Sequence, residues 1–216
     1  MNDTLRMRIA QALDLAVLQP NARSGDVFDA AEAVEDWGLA SVCVAPCNVQ
    51  LARCRTSRVC AVIGFPHGNT LSEVKRTEAR QAIIDGACEL DVVVNFGRFL
   101  EGNIETLQPE LESIVRIAHS SGVKVKAILE TCYYTPEQIR MACYHCVAAR
   151  VDWVKTSTGF GPGGATPEAV KIMVEAVNGQ GQVKASGGIK TRGDALMYLD
   201  LGCTRLGVSR YKELIL

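Results

Sequence analysis

VDWVKTSTGF, residues 151–160, sets a lysine at the end of a short apolar run and follows it with a loop of small polar residues. Val151, Trp153 and Val154 read as a buried parallel strand. The Thr156-Ser157-Thr158-Gly159 loop leaving it has the hydroxyls and backbone freedom to hold an anion or a polar substrate, which makes Thr156 and Gly159 candidate contacts. An ammonium group taken out of water at the position of Lys155 is costly unless it is paired or loses its proton. The neutral amine is a nucleophile toward carbonyls. The plain alternative is a lysine that carries its head to the rim of the sheet.

Working outward, the same strand-then-helix unit recurs about eight times. The strands expected are LDLAVL (13–18), LASVCVA (39–45), RVCAVIG (58–64), CELDVVV (88–94), KVKAIL (124–129), VDWVK (151–155), GQVKA (181–185) and TRLGV (204–208). Helices are expected near 25–37, 47–54, 71–86, 104–120, 136–149, 167–177 and 192–201, with a short one from Tyr211 onward. Thr70 with Glu73 and Thr135 with Gln138 fit capping boxes, Pro136 and Pro167 suit first helical positions, and Thr191 precedes Asp194. Gly38, Gly86, Gly122 and Gly202 fall where helices should stop. No linker or charge block interrupts this alternation. A single-domain α/β fold over residues 1–216, a (β/α)8 TIM barrel, is the economical reading. A doubly wound open sheet is the structural alternative, but no GxGxxG follows the first strand.

In such a barrel the site lies on the loops after the strands. Those loops, among them APCN, GFPHGN, NFGR, ETCYYT, TSTGFGPGGAT and SGGIKT, are the unusual part of the chain, whereas the opposite connections are short and plain. Four charges interrupt otherwise apolar strands: Asp91, Lys126, Lys155 and Lys184, from strands four to seven. Alternation puts Leu90, Val92 and Val94 on one face and Asp91 on the other, so the carboxylate can point into the barrel. A lysine beside another cation in a partly dry pocket gives up its proton more readily. The freed amine can attack an aldehyde and form a Schiff base, an electron sink for making or breaking a carbon–carbon bond, while Asp91 supplies a proton shuttle. A purely structural ion network filling the barrel is the competing account. Gly187, Gly188, Gly207 and Ser209, in the last two loops, suit a phosphate held by backbone N–H groups, with Arg210 adding charge.

The composition, 48% hydrophobic and 22% charged with a formal net charge of -1, is that of a soluble globular protein and argues against a nucleic-acid footprint. Neither an export leader nor an apolar run long enough for a bilayer is evident, so no membrane association and a cytoplasmic location are expected. Nine cysteines then read as reduced thiols, several of them (Cys43, Cys60, Cys88, Cys203) inside apolar runs. The run Cys143–Cys146 with His145 imitates half a zinc site, but its spacing suits a helix face better, and no metal is expected. His67 reads as a rim residue capping a loop, and His119 as solvent-facing.

VKTSTGF, VKASGGIKT, GFPHG with the segment SEVKRTEARQAIIDGACELDVVVN, and KVKAILET together resemble the deoxyribose-phosphate aldolase family, in the same order from about residue 12 to 210. The resemblance implies a class I, metal-free and cofactor-free (β/α)8 aldolase. Its small-molecule substrates would be a phosphosugar and aldehydes: 2-deoxy-D-ribose 5-phosphate, acetaldehyde and D-glyceraldehyde 3-phosphate. By motif, Lys155 would be the Schiff-base lysine, Lys184 the cation that helps free its amine, and Asp91 the proton relay. Lys126, Cys43 and Asp14 would belong to the pocket. Two positions depart from the family pattern: Ala16 replaces a threonine, and GVSR, ending in Arg210, replaces GTSS or a close variant. A homo-oligomer, dimer or tetramer, is expected.

Overall fold

Strands that are apolar on one side and carry charges on the other can hide both sides only by closing on themselves, and that is the solution found in the computed structural model, which describes residues 3–103 and 106–216. After helix α1 (Asp3–Ala10) come β1 (Leu13–Val17), α2 (Ser24–Trp37), β2 (Ser41–Val44), α3 (Val49–Arg53), β3 (Val59–Ile63), α4 (Ser72–Ile84) and β4 (Glu89–Val93). Then follow α5 (Phe96–Leu100), α6 (Leu107–Ser120), β5 (Lys124–Ile128), α7 (Pro136–Ala148), β6 (Trp153–Lys155), α8 (Pro167–Val177), β7 (Gln182–Ser186), α9 (Arg192–Asp200), β8 (Arg205–Val208) and α10 (Lys212–Ile215). The strands pair in parallel in chain order and close β8 onto β1. This is the expected (β/α)8 barrel.

Each strand sorts its side chains by parity. Leu13, Leu15, Val42, Val44, Leu90, Val92, Val125 and Ala127 join the large core between barrel and helices, where each fully buried Val or Leu side chain contributes roughly 1.5–3 kcal/mol. Inside the barrel, a smaller apolar group of Cys43, Cys60 and Val62 fills one side, and charged residues occupy the rest.

Three elements differ from the sequence expectation. Helix α1 buries only Ile9 and Ala10, so it shows no apolar stripe to read. The NFGR loop continues as α5, whose N-cap Asn95 accepts the Arg98 N–H. The helix expected at 47–54 divides into a 3-10 turn, Pro46–Asn48, and α3. Residues 104 and 105 of the helix expected at 104–120 lie outside the described residues. Among the caps, Thr135 with Gln138 and Thr191 with Asp194 form full capping boxes, and Thr166 accepts the Ala169 N–H. Thr70 does not cap α4, because that helix starts one residue later than a Thr70 cap requires and has Leu71 as N-cap. Gly38, Gly86, Gly122 and Gly202 all take positive φ at helix ends. Accordingly, Thr135→Ala should cost about 1 kcal/mol in urea unfolding, whereas Thr70→Ala should stay within about 0.5 kcal/mol of the wild type.

Candidate active site

On the inward face of β4 Asp91 is fully buried, and each of its oxygens accepts two hydrogen bonds. Oδ1 accepts from Lys126 Nζ at 2.8 Å and Cys60 Sγ at 3.1 Å. Oδ2 accepts from Lys155 Nζ at 2.7 Å and Lys184 Nζ at 2.8 Å. A carboxylate offers about four acceptor positions, and here all are filled. The barrel register explains the convergence: Asp91 pairs with Lys126, Ile128 with Lys155, and Lys155 with Lys184, so alternate residues of four successive strands meet on the axis.

Joined to Asp91 through Lys126 and Lys184 is a second set of charges that the sequence reading missed in part. Asp14 accepts from Lys184 at 2.5 Å, Ser41 Oγ at 2.7 Å and Arg205 Nη1 at 2.6 Å. Glu89 pairs with Lys126 at 2.5 Å and takes both Arg205 nitrogens, at 2.8 and 2.9 Å. Arg205 also lies over the Trp153 ring, 4.9 Å from its centre. Glu89 and Arg205 carried a legible signal: each sits two residues from another inward-facing position of its own strand.

The electrostatics favour the charged forms of Asp14, Asp91, Lys126, Lys184 and Arg205. For Lys184 burial and the nearby Lys126 work against the ammonium, but Asp14 and Asp91 outweigh them and raise its affinity for the proton. Lys126 is raised in the same way, burial being opposed by Asp91, Cys60, Asp14 and Glu89. Asp91 and Asp14 are held below the usual carboxylate range; burial pushes them up, and the surrounding lysines, joined at Asp14 by Arg205, push them further down. Lys184 is thus a fixed cation on the oxygen that Lys155 shares.

Above the cluster opens a cavity of about 220 Å³. Of the residues singled out in the sequence, Asp14, Cys43, Lys155, Gly159, Lys184, Gly187, Gly188, Gly207 and Ser209 line it, together with Ala16. Asp91 and Lys126 lie beneath, fully buried. Thr156 stands behind the wall: its hydroxyl donates to Ser186 O and accepts the Ser186 N–H, both at 3.0 Å, tying β6 to β7. Arg210 faces a neighbouring groove with Asp26, Asp29 and Tyr211 rather than the cavity. A basic residue of the last loops that does line the cavity is Lys190, from the quoted SGGIKT loop.

Glu130, at the end of the fifth unit, takes left-handed φ at 56°. It is buried and accepts the N–H and hydroxyl of Thr158, which holds the loop after β6. Burial raises its carboxyl above the ordinary value, against those hydrogen bonds. The β6 and β7 loops touch backbone to backbone: a Cβ on Gly164 would lie 2.4 Å from Gly187 O, and Ala165 N–H donates to Ser186 O and Gly187 O. Gly187, at φ +85°, is therefore required by packing as well as available to a ligand.

The remaining sequence candidates lie outside the cavity. His67 is exposed at the rim. His119 is exposed, as expected, with Nε2 2.8 Å from Asp152. Cys143 and Cys146 turn into the core from α7, and His145 Nδ1 lies 3.1 Å from Gln108 Oε1. All nine cysteines are free thiols.

A closed parallel barrel with a lysine and a fixed neighbouring cation on one carboxylate oxygen, under a polar cavity at the C-terminal ends of the strands, defines a lysine-dependent barrel enzyme. Residues 8–200 match the model of the DeoC/LacD family aldolases. The chain is 43% identical over 209 residues to the deoxyribose-phosphate aldolase of Thermococcus gammatolerans, covering 94% of this chain and 93% of that one. It is 40% identical over 207 residues to the enzyme of the same name from Treponema denticola, covering 94% and 96%. The solved tetrameric structure of deoxyribose phosphate aldolase from Aeropyrum pernix superposes with a TM-score of 0.90 at 31% identity, covering 97% of this chain and 90% of that chain. The chain belongs to the DeoC/LacD aldolase family.

The network fixes a pH signature. Asp14 and Asp91 contribute stability above the ordinary carboxyl value of 3.8 that is lost as pH falls toward their depressed folded values. Lys126 and Lys184 contribute fully below 10.5 and lose that contribution as pH rises through their raised folded values. Glu130 acts oppositely to the aspartates, favouring the fold less as pH rises above 4.5. Lys126→Met should cost about 3–5 kcal/mol at neutral pH, because it leaves buried carboxylates uncompensated. It should also weaken the alkaline loss. Urea unfolding across the pH range checks both, and a variant as stable as the wild type at neutral pH would contradict the account.

Proposed function

We propose that the chain is a class I aldolase, a carbon–carbon lyase, that reversibly cleaves 2-deoxy-D-ribose 5-phosphate to acetaldehyde and D-glyceraldehyde 3-phosphate through a Schiff base on Lys155. The observation that carries this reading is the sharing of Asp91 Oδ2 by Lys155 and Lys184 at the floor of the cavity. The names of the Thermococcus and Treponema relatives support the choice of substrate.

The neutral Lys155 amine adds to the C1 carbonyl of the open-chain sugar, and loss of water gives the iminium ion. A base takes the proton of the C3 hydroxyl, the C2–C3 bond breaks, and its electrons move into the iminium as D-glyceraldehyde 3-phosphate leaves. Protonation of the resulting enamine at C2 and hydrolysis release acetaldehyde and restore the amine. Asp91 and Lys184 are the groups placed to pass protons, because they touch each other and Asp91 touches Lys155. The iminium is the electron sink, so the cycle asks for no cofactor. Gly187, Gly188, Gly207, Ser209 and Lys190 would hold the phosphate beside the N-terminus of α9. Arg210, facing the next groove, leaves the phosphate subsite open. Cytoplasmic residence and assembly into a dimer or tetramer complete the reading, the Aeropyrum enzyme being a tetramer.

A coupled assay for D-glyceraldehyde 3-phosphate released from 2-deoxy-D-ribose 5-phosphate tests this. Wild type should turn over, Lys155→Ala should fall to background, and Asp91→Asn should lose roughly 10²–10⁴-fold in kcat. Binding of the sugar phosphate without turnover would instead make the protein a sugar-phosphate-binding barrel.

A further inference from the structure

Cys43 and Cys60 are register partners on adjacent parallel strands, and both side chains point into the barrel. Adjacent strands run about 4.8 Å apart, inside the Cα separation of about 4.4–6.8 Å that a disulfide spans. Their sulfurs and an Asp91 oxygen all lie within 4.8 Å of one another. The two thiols differ in access: Cys43 lines the substrate cavity, and Cys60 is sealed behind it. The same three groups have the make-up of a soft-metal site. However, Lys126, Lys155 and Lys184 already occupy the carboxylate, and a divalent cation would sit among them.

We propose that Cys43 and Cys60 form an oxidisable dithiol, which a hydroperoxide entering through the substrate cavity converts to a disulfide that disables the site. The Cys43 thiolate attacks one peroxide oxygen, the O–O bond breaks, and hydroxide leaves and takes up a proton, giving a sulfenic acid. Cys60 sulfur then attacks Cys43 sulfur, the S–O bond breaks, and the hydroxyl departs as water with the Cys60 proton. Two thiols are oxidised by loss of two hydrogens, and one hydrogen peroxide is reduced to two waters. The environment divides the roles. The neighbouring Cys60 side chain, aided by Lys184 and Lys155, pulls the Cys43 thiol down against burial and Asp91, whereas burial pushes Cys60 up. Cys43 is the attacking sulfur and Cys60 the resolving one.

The consequence for the site is direct. Cys60 donates to Asp91 Oδ1 at 3.1 Å and accepts from Lys126 at 3.3 Å. A disulfide removes that donor from the carboxylate on which Lys155 and Lys184 converge, and replaces the Cys43 thiol in the cavity wall. A dithiol reductant reverses the change.

The test uses the full chain with the exposed Cys47, Cys54 and Cys132 changed to serine, alongside wild type. Each is treated with hydrogen peroxide, quenched with an alkylating agent and mapped by mass spectrometry of peptides. A cross-linked peptide pair containing Cys43 and Cys60, abolished by dithiothreitol, is expected. Saturating acetaldehyde should slow its formation by occupying the cavity. In Cys60→Ser, Cys43 should go on to sulfinic acid for want of a resolving thiol. Two outcomes overturn the proposal: both cysteines alkylated in full after peroxide, or Cys43 carried to sulfinic acid in the wild type with no cross-link. The readout is covalent, so it stands apart from turnover. Where turnover is present, its loss on oxidation and its return with dithiothreitol are expected together.

Discussion

A single carboxylate, Asp91, holds the interior of this barrel together. A buried anion is tolerable only when its acceptor positions are filled by charged donors, and three lysines and a thiol fill them here. The lysines in turn are tolerable because of that anion, joined by Glu89 and Asp14 at Lys126 and by Asp14 at Lys184. Removing any one leaves the others uncompensated, so fold and site depend on the same charges. Asp14, Glu89 and Arg205 extend the network, with Glu89 holding Lys126, Asp14 holding Lys184, and Arg205 bridging the two carboxylates.

The arrangement also separates roles among chemically identical residues. Lys126 is surrounded by carboxylates, lies under the cavity and works as a structural cation. Lys184 bridges Asp14 and Asp91 and remains an ammonium ion at the cavity wall. Lys155 has one carboxylate partner, shares it, and stands at the end of the shortest strand where the TSTGF loop opens. Partner count and position in the barrel, rather than residue type, support the proposal that it is the nucleophile.

Much of this was legible in the chain. Eight apolar strands with intervening helical segments specify the barrel, and charges at inward positions of β4 to β7 specify where it is polar. Polar helix α1 was not legible, because a helix that buries two residues leaves no stripe. Helix α5 was not, because its start depends on one Asn95 side chain. Thr70 misled because a threonine followed by a glutamate three residues later resembles a cap until the helix start is fixed by packing. Thr156 and Arg210 were placed in the right loops, but the directions of their side chains are set by contacts across strands that no local pattern encodes. Glu89 and Arg205 could have been found by extending inward parity one step, and Asp14 was found only through family resemblance.

The central claim is that, of three lysines on one carboxylate, Lys155 alone reacts as an amine. The direct measurement is peptide mapping after incubation with acetaldehyde and borohydride, which fixes a Schiff base as a stable ethyl group. The account predicts that group on Lys155, with Lys184 and Lys126 unmodified. An ethyl group on Lys184, or none on any of the three, would contradict it.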